Sequence, residues 1–340
     1  MKQTILFPSD LQQTLQQEIA ACHPDKLFIL TDENTLRLCW PQVEEVECLK
    51  GAQVITIAAG DVHKNLDSLS QVWIGLQQGG ATRHSLLICL GGGMVTDLGG
   101  FAASTFKRGI AFVNIPTTLL AMVDASVGGK TGINFNNLKN EVGVFSNAKA
   151  VIISPQFLQT LDRENLLSGY AEMVKHGLIS TKAHWAEVMQ LPEPTAQLIK
   201  DSIAVKEQIV EADPHEQGLR KALNLGHTVG HAIEEWSHET ILHGYAVAYG
   251  LVCELYLSVM KCGFPTDRLH QTVQLIRENY GRPDITCDDY PELISLMKHD
   301  KKNTSGTINF TLLADIGVLR LNQTASEEEI KEALDFLREG

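Results

Sequence analysis

Five short apolar runs in the first half of the chain constrain its fold more than any other feature. They cover residues 27–30, 54–58, 86–90, 111–115 and 150–153, and polar, helix-like stretches separate them. Alternation of this kind is typical of βα units that build a mostly parallel sheet. We therefore predict a Rossmann-like α/β domain over residues 1–160.

The rest of the chain has helical periodicity. Helices are predicted over residues 163–179, 195–212, 219–236, 246–261 and 266–279, with breaks at Asp213-Pro214 and at 263–265. Residues 307–313 alternate like a strand, and Ser326 before three glutamates predicts a capped final helix. Because 340 residues exceed the roughly 250–300 at which single cores stop growing, we predict a second, mainly α-helical domain over residues 161–340.

Composition narrows the classes of partner. The net charge of -13 argues against a nucleic-acid surface, which requires a basic face. Seven cysteines without paired spacing indicate reduced thiols, and no apolar run reaches the roughly 18 residues of a membrane span. We expect a cytoplasmic protein that binds neither nucleic acid nor a membrane.

A glycine-rich loop follows the third apolar run. Gly91, Gly92 and Gly93 come directly after it, and Asp97 lies four residues further on. Glycines let a backbone approach a pyrophosphate, and the amides at a following helix start are suitable donors. The spacing is not the Gly-x-Gly-x-x-Gly fingerprint, and a purely structural turn is the alternative. The strand context and Asp97 favour nucleotide binding.

A second polar stretch has ligand-binding chemistry. It contains Thr117, Thr118, Asp124 and Lys130, the last within Gly-Gly-Lys-Thr. A phosphate loop would need a glycine five residues before Gly129, where Asp124 stands, so an ATPase is disfavoured. Hydroxyls, an acid and a lysine suit a cofactor and a phosphorylated or hydroxylated ligand, and a solvated loop is the alternative.

Three histidines indicate a divalent metal. They are His227, His231 and His243, and upstream Glu172 is followed by a lysine and a histidine at i+3 and i+4, on one helical face. Neutral imidazole is a good ligand for zinc-like ions. Spacing alone predicts His227 and His231 as joint metal ligands, but it cannot decide whether His231 or His243 is the second histidine ligand.

A polar stripe runs into these histidines if residues 216–231 form one helix. On such a helix five polar side chains fall within an arc of about 80°: Glu216, Arg220, Asn224, His227 and His231. A water-facing stripe is the alternative. Gly226 and Gly230 would each cost about 1 kcal/mol against alanine, which predicts that something approaches closely there.

In their order these motifs resemble the 3-dehydroquinate synthase family, from about residue 61 to 319. The resemblance rests on the glycine loop, Pro116-Thr117-Thr118, residues 123–131, Lys139-Asn140, residues 171–175 and 223–234, and His243-Gly244. It implies a dehydroquinate synthase-like fold, NAD, a divalent metal (zinc or cobalt) and a homodimer. It also implies conversion of 3-deoxy-D-arabino-heptulosonate 7-phosphate to 3-dehydroquinate and phosphate, in the shikimate pathway.

The resemblance also assigns roles to residues. It places the metal on Glu172, His227 and His243, and leaves His231 to contact substrate or relay a proton. It assigns the nucleotide to Asp61, Lys64, Gly92, Gly93, Asp97, Thr117, Thr118, Lys130, Lys139, Phe157 and Thr160. It assigns the substrate to Asp124, Lys130, Asn140, Lys175, Lys206, Arg220, Asn224 and either Lys301 or Lys302, with Arg108 reaching the substrate phosphate of the neighbouring subunit.

The implied chemistry accounts for this set of groups. Transient oxidation of a carbinol by NAD makes the neighbouring C–H acidic, so that phosphate leaves before re-reduction, ring opening and aldol closure.

Four positions depart from the family pattern: Asp61 for glutamate, Leu138 for glycine, Ser154 for aspartate and Tyr245 for glutamate. Rival interpretations are another sugar-phosphate cyclase, a metal-dependent polyol dehydrogenase of the same architecture, and a catalytically silent nucleotide- or metal-binding regulator.

Overall fold

A computed structural model describes residues 3–136, 138–191, 193–214, 216, 218–238, 240–299 and 308–340. The chain divides into two compact units. The first comprises Met1–Asp162 and Pro194–Ile203, and the second comprises Arg163–Glu193 and Ala204–Gly340. The short stretch 194–203 therefore groups with the first unit, although the sequence places it in the helical domain. The separate roles predicted for the two domains stay predictions.

The first unit is built on a parallel sheet. Its strands are β1 (Ile5–Leu6), β2 (Leu27–Asp32), β3 (Gln53–Ile57), β4 (Leu86–Gly91), β5 (Ala111–Pro116), β6 (Lys130–Phe135), β7 (Leu138–Phe145) and β8 (Val151–Ile152). Six of them form the sheet in the order β1-β8-β5-β4-β2-β3, every neighbouring pair parallel. The five predicted apolar runs are confirmed as strands of this sheet. Strands β2, β4, β5 and β8 are largely apolar because they are buried on both faces, whereas β3 at the edge is partly exposed.

Helices flank this sheet in the sequence. They are α1 (Leu11–Cys22), α2 (Glu33–Leu38), α3 (Leu66–Gln78) and α4 (Gly93–Thr105). Asp10 and Asn65 begin α1 and α3 by accepting hydrogen bonds from first-turn amides. The antiparallel hairpin of β6 and β7 was not predicted, because polar side chains interrupt its alternation.

The second unit is mainly helical, as predicted. Its helices are α5 (Arg163–Ile179), α6 (Lys182–Val188), the later part of α7 (Ala196–Ala212), α8 (His227–Trp236), α9 (His243–Cys262), α10 (Thr266–Tyr280), α11 (Tyr290–His299) and α12 (Glu327–Glu339), with the antiparallel pair β9 (Asn309–Asp315) and β10 (Val318–Thr324). The predicted Ser326 cap is confirmed, with its hydroxyl accepting from the Glu329 amide.

One helix prediction is wrong. Residues 219–236 do not form a single helix: a 3₁₀ helix covers Leu219–Asn224, and α8 begins only at His227. Gly226 between them has a φ of 80°, a left-handed conformation that glycine adopts without strain. The arc calculated for residues 216–231 therefore does not describe the structure.

Helix α9 is the core helix of the second unit. Among the described residues it alone is long and apolar enough to cross a membrane by length and composition. However, 67% of its apolar stretch is buried inside the protein, where it packs against α5, α8, α10 and α12. Burial of this kind is what a core helix shows.

Candidate functional site

The glycine loop lies at the carboxyl end of β4, in the middle of the sheet. The strand order reverses between β2 and β4, and ligands of open α/β sheets bind outside the carboxyl ends of strands at such a point. Gly92 precedes α4 and places no capping side chain on its first-turn amides. A Cβ on Gly92 would lie 3.1 Å from Thr118 Cγ2, so a side chain would narrow the loop. Open amides in this position suit a dinucleotide phosphate.

Polar side chains assigned to the nucleotide gather in two groups beside this loop. Lys64, of which 4% is exposed, donates to Asp97 Oδ2 at 2.5 Å and to Asn140 Oδ1 at 2.6 Å. Asp61 forms an ion pair with Lys139 at 3.3 Å. Asn140, which the resemblance assigns to substrate, therefore lies with predicted nucleotide residues.

The remaining predicted residues of the first unit are spread over several segments. Thr117 donates its amide to Gly91 O at 3.0 Å, and the Thr118 hydroxyl accepts from the Ala121 amide at 3.1 Å. Phe157 is fully buried, and the Thr160 hydroxyl donates to its carbonyl at 3.0 Å. Asp124 lies in a π-helical turn, while Lys130 at the start of β6 and Arg108 are exposed.

The second unit brings together the three residues assigned to a metal. Glu172 lies in the middle of α5, whereas His227 and His243 are the first residues of α8 and α9. Glu172 Oε1 is 3.3 Å from His227 Nε2 and 3.4 Å from His243 Nε2. The three ligating atoms all lie within 4.8 Å of one another. This convergence joins segments that are far apart in the sequence.

Both histidine rings are held by their other nitrogen. His227 Nδ1 lies 3.1 Å from Leu225 O, and His243 Nδ1 lies 3.2 Å from Glu234 Oε2. Such partners fix the tautomer and direct Nε2 towards a metal. Glu234 is the last residue of the motif over residues 223–234, and the sequence predicted no role for it; its position three residues after His231 was the signal available.

The chemistry of this cluster fits a divalent cation. Glu172 is fully buried, and neither of its carboxylate oxygens has a hydrogen bond of acceptable geometry, although Lys175, His227 and His243 surround them. Lys175 compensates Glu172 Oε2, and a cation at Oε1, which faces both histidines, would satisfy the rest of this buried carboxylate. One carboxylate and two imidazoles are a donor set that zinc and cobalt accept.

Electrostatics distinguishes the two histidines. Burial, together with the charge of Lys175, lowers the pKa of His227 to about 4, so its ring is neutral at pH 7. Burial also lowers the pKa of His243, but Glu234 and Glu172 outweigh it and raise the pKa to about 10. Burial raises the pKa of Glu172, yet Lys175 and His227 outweigh it and hold the pKa well below its usual value. A metal that binds here displaces a proton from His243.

The ambiguity left by the histidine spacing is now narrowed. Among the described residues, no cluster of three ligating side chains contains both His227 and His231, although His231 with Glu234 and His243 forms a second one. The His231 ring lies 5.2 Å from that of His227 and 6.0 Å from that of His243. It is therefore next to the centre, where the resemblance places it.

The two glycines of the histidine motif lie against another helix. Cβ atoms on Gly226 and Gly230 would lie 3.0 Å from Val247 O and 2.9 Å from Ala246 O, both in α9. A Cβ on Gly250 would overlap Gly226 O and lie 2.7 Å from Gly230 N. The close approach predicted at these glycines is thus a helix–helix contact that brings the starts of α8 and α9 together.

Other residues assigned to substrate are largely buried in the second unit. Lys175 contacts Glu172, and Lys206 and Arg220 are 6% and 3% exposed. Arg220 donates to Pro214 O at 2.7 Å, and the Asn224 amide donates to Glu216 Oε1 at 2.9 Å. Lys301 and Lys302 lie outside the described residues.

Fold and site together define an α/β enzyme architecture with a loop suited to a dinucleotide and a candidate metal site between helices. Solved structures of two synthases share the fold. One is 2-epi-5-epi-valiolone synthase from Streptomyces hygroscopicus subsp. jinggangensis 5008 with NAD+ and Zn2+ bound (TM-score 0.87, 23% identity, 100% of this chain and 97% of that chain). The other is 2-deoxy-scyllo-inosose synthase complexed with carbaglucose-6-phosphate, NAD+ and Co2+ (TM-score 0.84, 22% identity, 99% of this chain and 96% of that chain).

The chain belongs to the 3-dehydroquinate synthase family. The N-terminal and C-terminal models of that family match residues 54–168 and 169–303. A 3-dehydroquinate synthase from Parabacteroides distasonis is 53% identical over 99% of this chain and 98% of its own length. The resemblance drawn from the sequence motifs is confirmed.

Proposed function

We propose that the chain catalyses the conversion of 3-deoxy-D-arabino-heptulosonate 7-phosphate to 3-dehydroquinate and phosphate, as a phosphate-eliminating carbon–oxygen lyase. The observation that carries this proposal is the convergence of buried Glu172 and His227 with half-buried His243, in a chain 53% identical to a 3-dehydroquinate synthase over nearly its full length. The four departures from the family pattern replace none of these three side chains and none of the assigned lysines.

We propose NAD and a divalent metal, zinc or cobalt, as cofactors. The glycine loop, with the Lys64–Asp97 pair beside it, would hold NAD in the first unit, and Glu172, His227 and His243 would hold the metal in the second. When bound, NAD supplies a reversible hydride acceptor, and the metal supplies a Lewis acid for a carbinol oxygen. The two synthase structures that share the fold carry NAD+ with Zn2+ or Co2+, which supports this proposal.

The chain's own side chains supply fixed charge and proton transfer. Lys175, Lys206 and Arg220 are buried cations of the second unit, and we propose that they bind the carboxylate and phosphate of the substrate. Lys130 is exposed at the start of β6, and we propose that it adds positive charge to the same task. His231, half-buried beside His227, is placed to move a proton.

We also propose a cytoplasmic homodimer that binds neither nucleic acid nor a membrane. The hairpin of β6 and β7 exposes five large apolar side chains, which is typical of an interface: Phe135, Leu138, Val142, Val144 and Phe145. The net charge of -13 supports the proposal that the protein does not bind nucleic acid, and the seven free cysteines support a cytoplasmic location. Sedimentation of the purified protein tests the dimer, and a monomer at micromolar concentration would contradict it.

One incubation tests the proposed reaction. The protein is supplied with NAD, zinc and the heptulosonate phosphate, and phosphate release and the carbocyclic product are measured together. Equal amounts of phosphate and 3-dehydroquinate, with no net NADH, are expected. Net NADH from a simple polyol would instead identify a dehydrogenase, and a different carbocycle would identify another cyclase.

A further inference from the structure

A buried carboxylate on α9 lies behind the metal centre. Glu254 is fully buried in the second unit, although it stands in an otherwise apolar part of that helix. Its Oε2 accepts from the Gly226 amide at 2.7 Å, and its Oε1 accepts from the Thr228 amide at 3.0 Å and the Val229 amide at 3.3 Å. These three amides flank His227, so Glu254 holds the backbone that presents this metal ligand.

Three physical features make this contact stronger than an ordinary cap. The amides at a helix start have no partner within the helix and carry the positive end of its dipole, and a charged acceptor satisfies both. Hydrogen bonds to a carboxylate are roughly twice as strong as neutral ones. Gly226, the residue before α8, has no side chain and so cannot cap the helix itself. The carboxylate comes from a different helix instead.

The glycine contact determines the reach of this carboxylate. Gly250 stands one helical turn before Glu254 and lies against Gly226 and Gly230 without room for a Cβ. Because the helices touch at their backbones, a glutamate one turn further on spans the remaining gap to the first turn of α8. His243, the other histidine of the centre, begins the same helix as Glu254.

We infer that Glu254 is a positioning residue for the metal centre: it fixes the first turn of α8 so that His227 Nε2 faces Glu172. The inference rests on the proposed function, because it takes Glu172, His227 and His243 as the metal ligands. Ligands must lie within about 0.2 Å of their required distances, so a helix start that moves by more than this loses affinity. The carboxylate acts through the backbone and touches neither metal nor substrate.

The test is a zinc-affinity titration against a competing chelator, on purified full-length variants. Glu254→Gln keeps the size of the side chain but turns an NH2 group towards an amide donor, and we expect a 10–100-fold weaker zinc affinity. Cys253→Ala is the matched control, because Cys253 is equally buried on α9 but donates to Ala333 O in α12. Its zinc affinity should stay within twofold of wild type.

Urea unfolding of the metal-free variants measures their free energy of unfolding. This shows whether a loss of zinc affinity comes from a displaced ligand or from general destabilisation. A zinc affinity of Glu254→Gln within twofold of wild type overturns the inference, as does an equal loss in Cys253→Ala. If circular dichroism shows that Glu254→Gln does not fold, Glu254→Asp is titrated in its place, because it keeps the charge but has a shorter side chain. The same loss of zinc affinity is expected, and an affinity within twofold of wild type again overturns the inference. Wild-type protein that binds neither zinc nor cobalt would instead refute the proposed function.

Discussion

Gly250→Ala is expected to destabilise the second unit and to disrupt the metal centre. The added Cβ would overlap Gly226 O and lie 2.7 Å from Gly230 N, whereas ordinary contacts begin at 3.4 Å. Both obstacles are backbone atoms, which cannot rotate away as a side chain does. The backbones of α8 and α9 must therefore separate by at least about 1 Å at this contact.

The magnitude follows from this separation. Overpacking costs about 1–3 kcal/mol where side chains can adjust, so a clash with backbone is expected at about 3 kcal/mol. The same displacement exceeds the tolerance of about 0.2 Å for metal ligands. We expect zinc affinity to fall by at least the 10–100-fold that is typical of lost ligand support.

The assay combines urea unfolding with a zinc titration, and Gly263→Ala is the control. Gly263 ends α9 at a φ of 73°, and a Cβ there would meet nothing within 4 Å. It should cost about 1–2 kcal/mol through the left-handed backbone conformation and leave zinc affinity unchanged. Gly250→Ala with a stability within about 1 kcal/mol of wild type and unaltered zinc affinity would refute the packing argument.

Three other outcomes concern the proposed reaction. His227→Ala should abolish turnover because it removes a ligand, and elemental analysis that finds wild-type metal content would contradict this. EDTA should inactivate the protein, and zinc or cobalt should restore it; a metal-free preparation with full activity would disprove the dependence. Lys130→Ala should lower turnover by about 10²-fold or more, as loss of a charge that stabilises the transition state does. Because Lys130 is exposed, the thermal midpoint of the variant should be close to that of the wild type. An unchanged kcat would exclude a role for Lys130 in stabilising the transition state.

The parallel sheet could be predicted because burial leaves a direct trace in the sequence. Strand β4 is buried along its whole length, so every position in it is apolar or glycine. In contrast, β7 is exposed at most positions and carries Lys139, Asn140 and Glu141 in its first half. Nothing in its local pattern requires a strand, and its pairing with β6 supplies the structure.

The candidate site was predictable in its chemistry but not in its geometry. Residue types nominated the metal ligands, and the family resemblance selected Glu172, His227 and His243 among them. Spacing alone favoured His227 with His231, because a four-residue interval joins side chains on one helical face. The structure places the His227 and His243 Nε2 atoms next to one Glu172 oxygen, at 3.3 and 3.4 Å. That arrangement depends on how three helices pack, which no local interval encodes.

The glycines show where local reasoning ends in this chain. The close approach predicted at Gly226 and Gly230 is present, although Gly226 lies outside the helix and its expected helical cost does not apply; a ligand and a neighbouring helix leave the same trace in sequence. The left-handed Gly226 also ends the helical register, so side chains on its two sides no longer share one face. Glu254 offered a further signal, as a lone acid between Cys253 and Leu255 in an apolar helix. A buried carboxylate must meet donors, and here they are the amides around His227, so the unusual acid and the unusual glycine serve the same helix start.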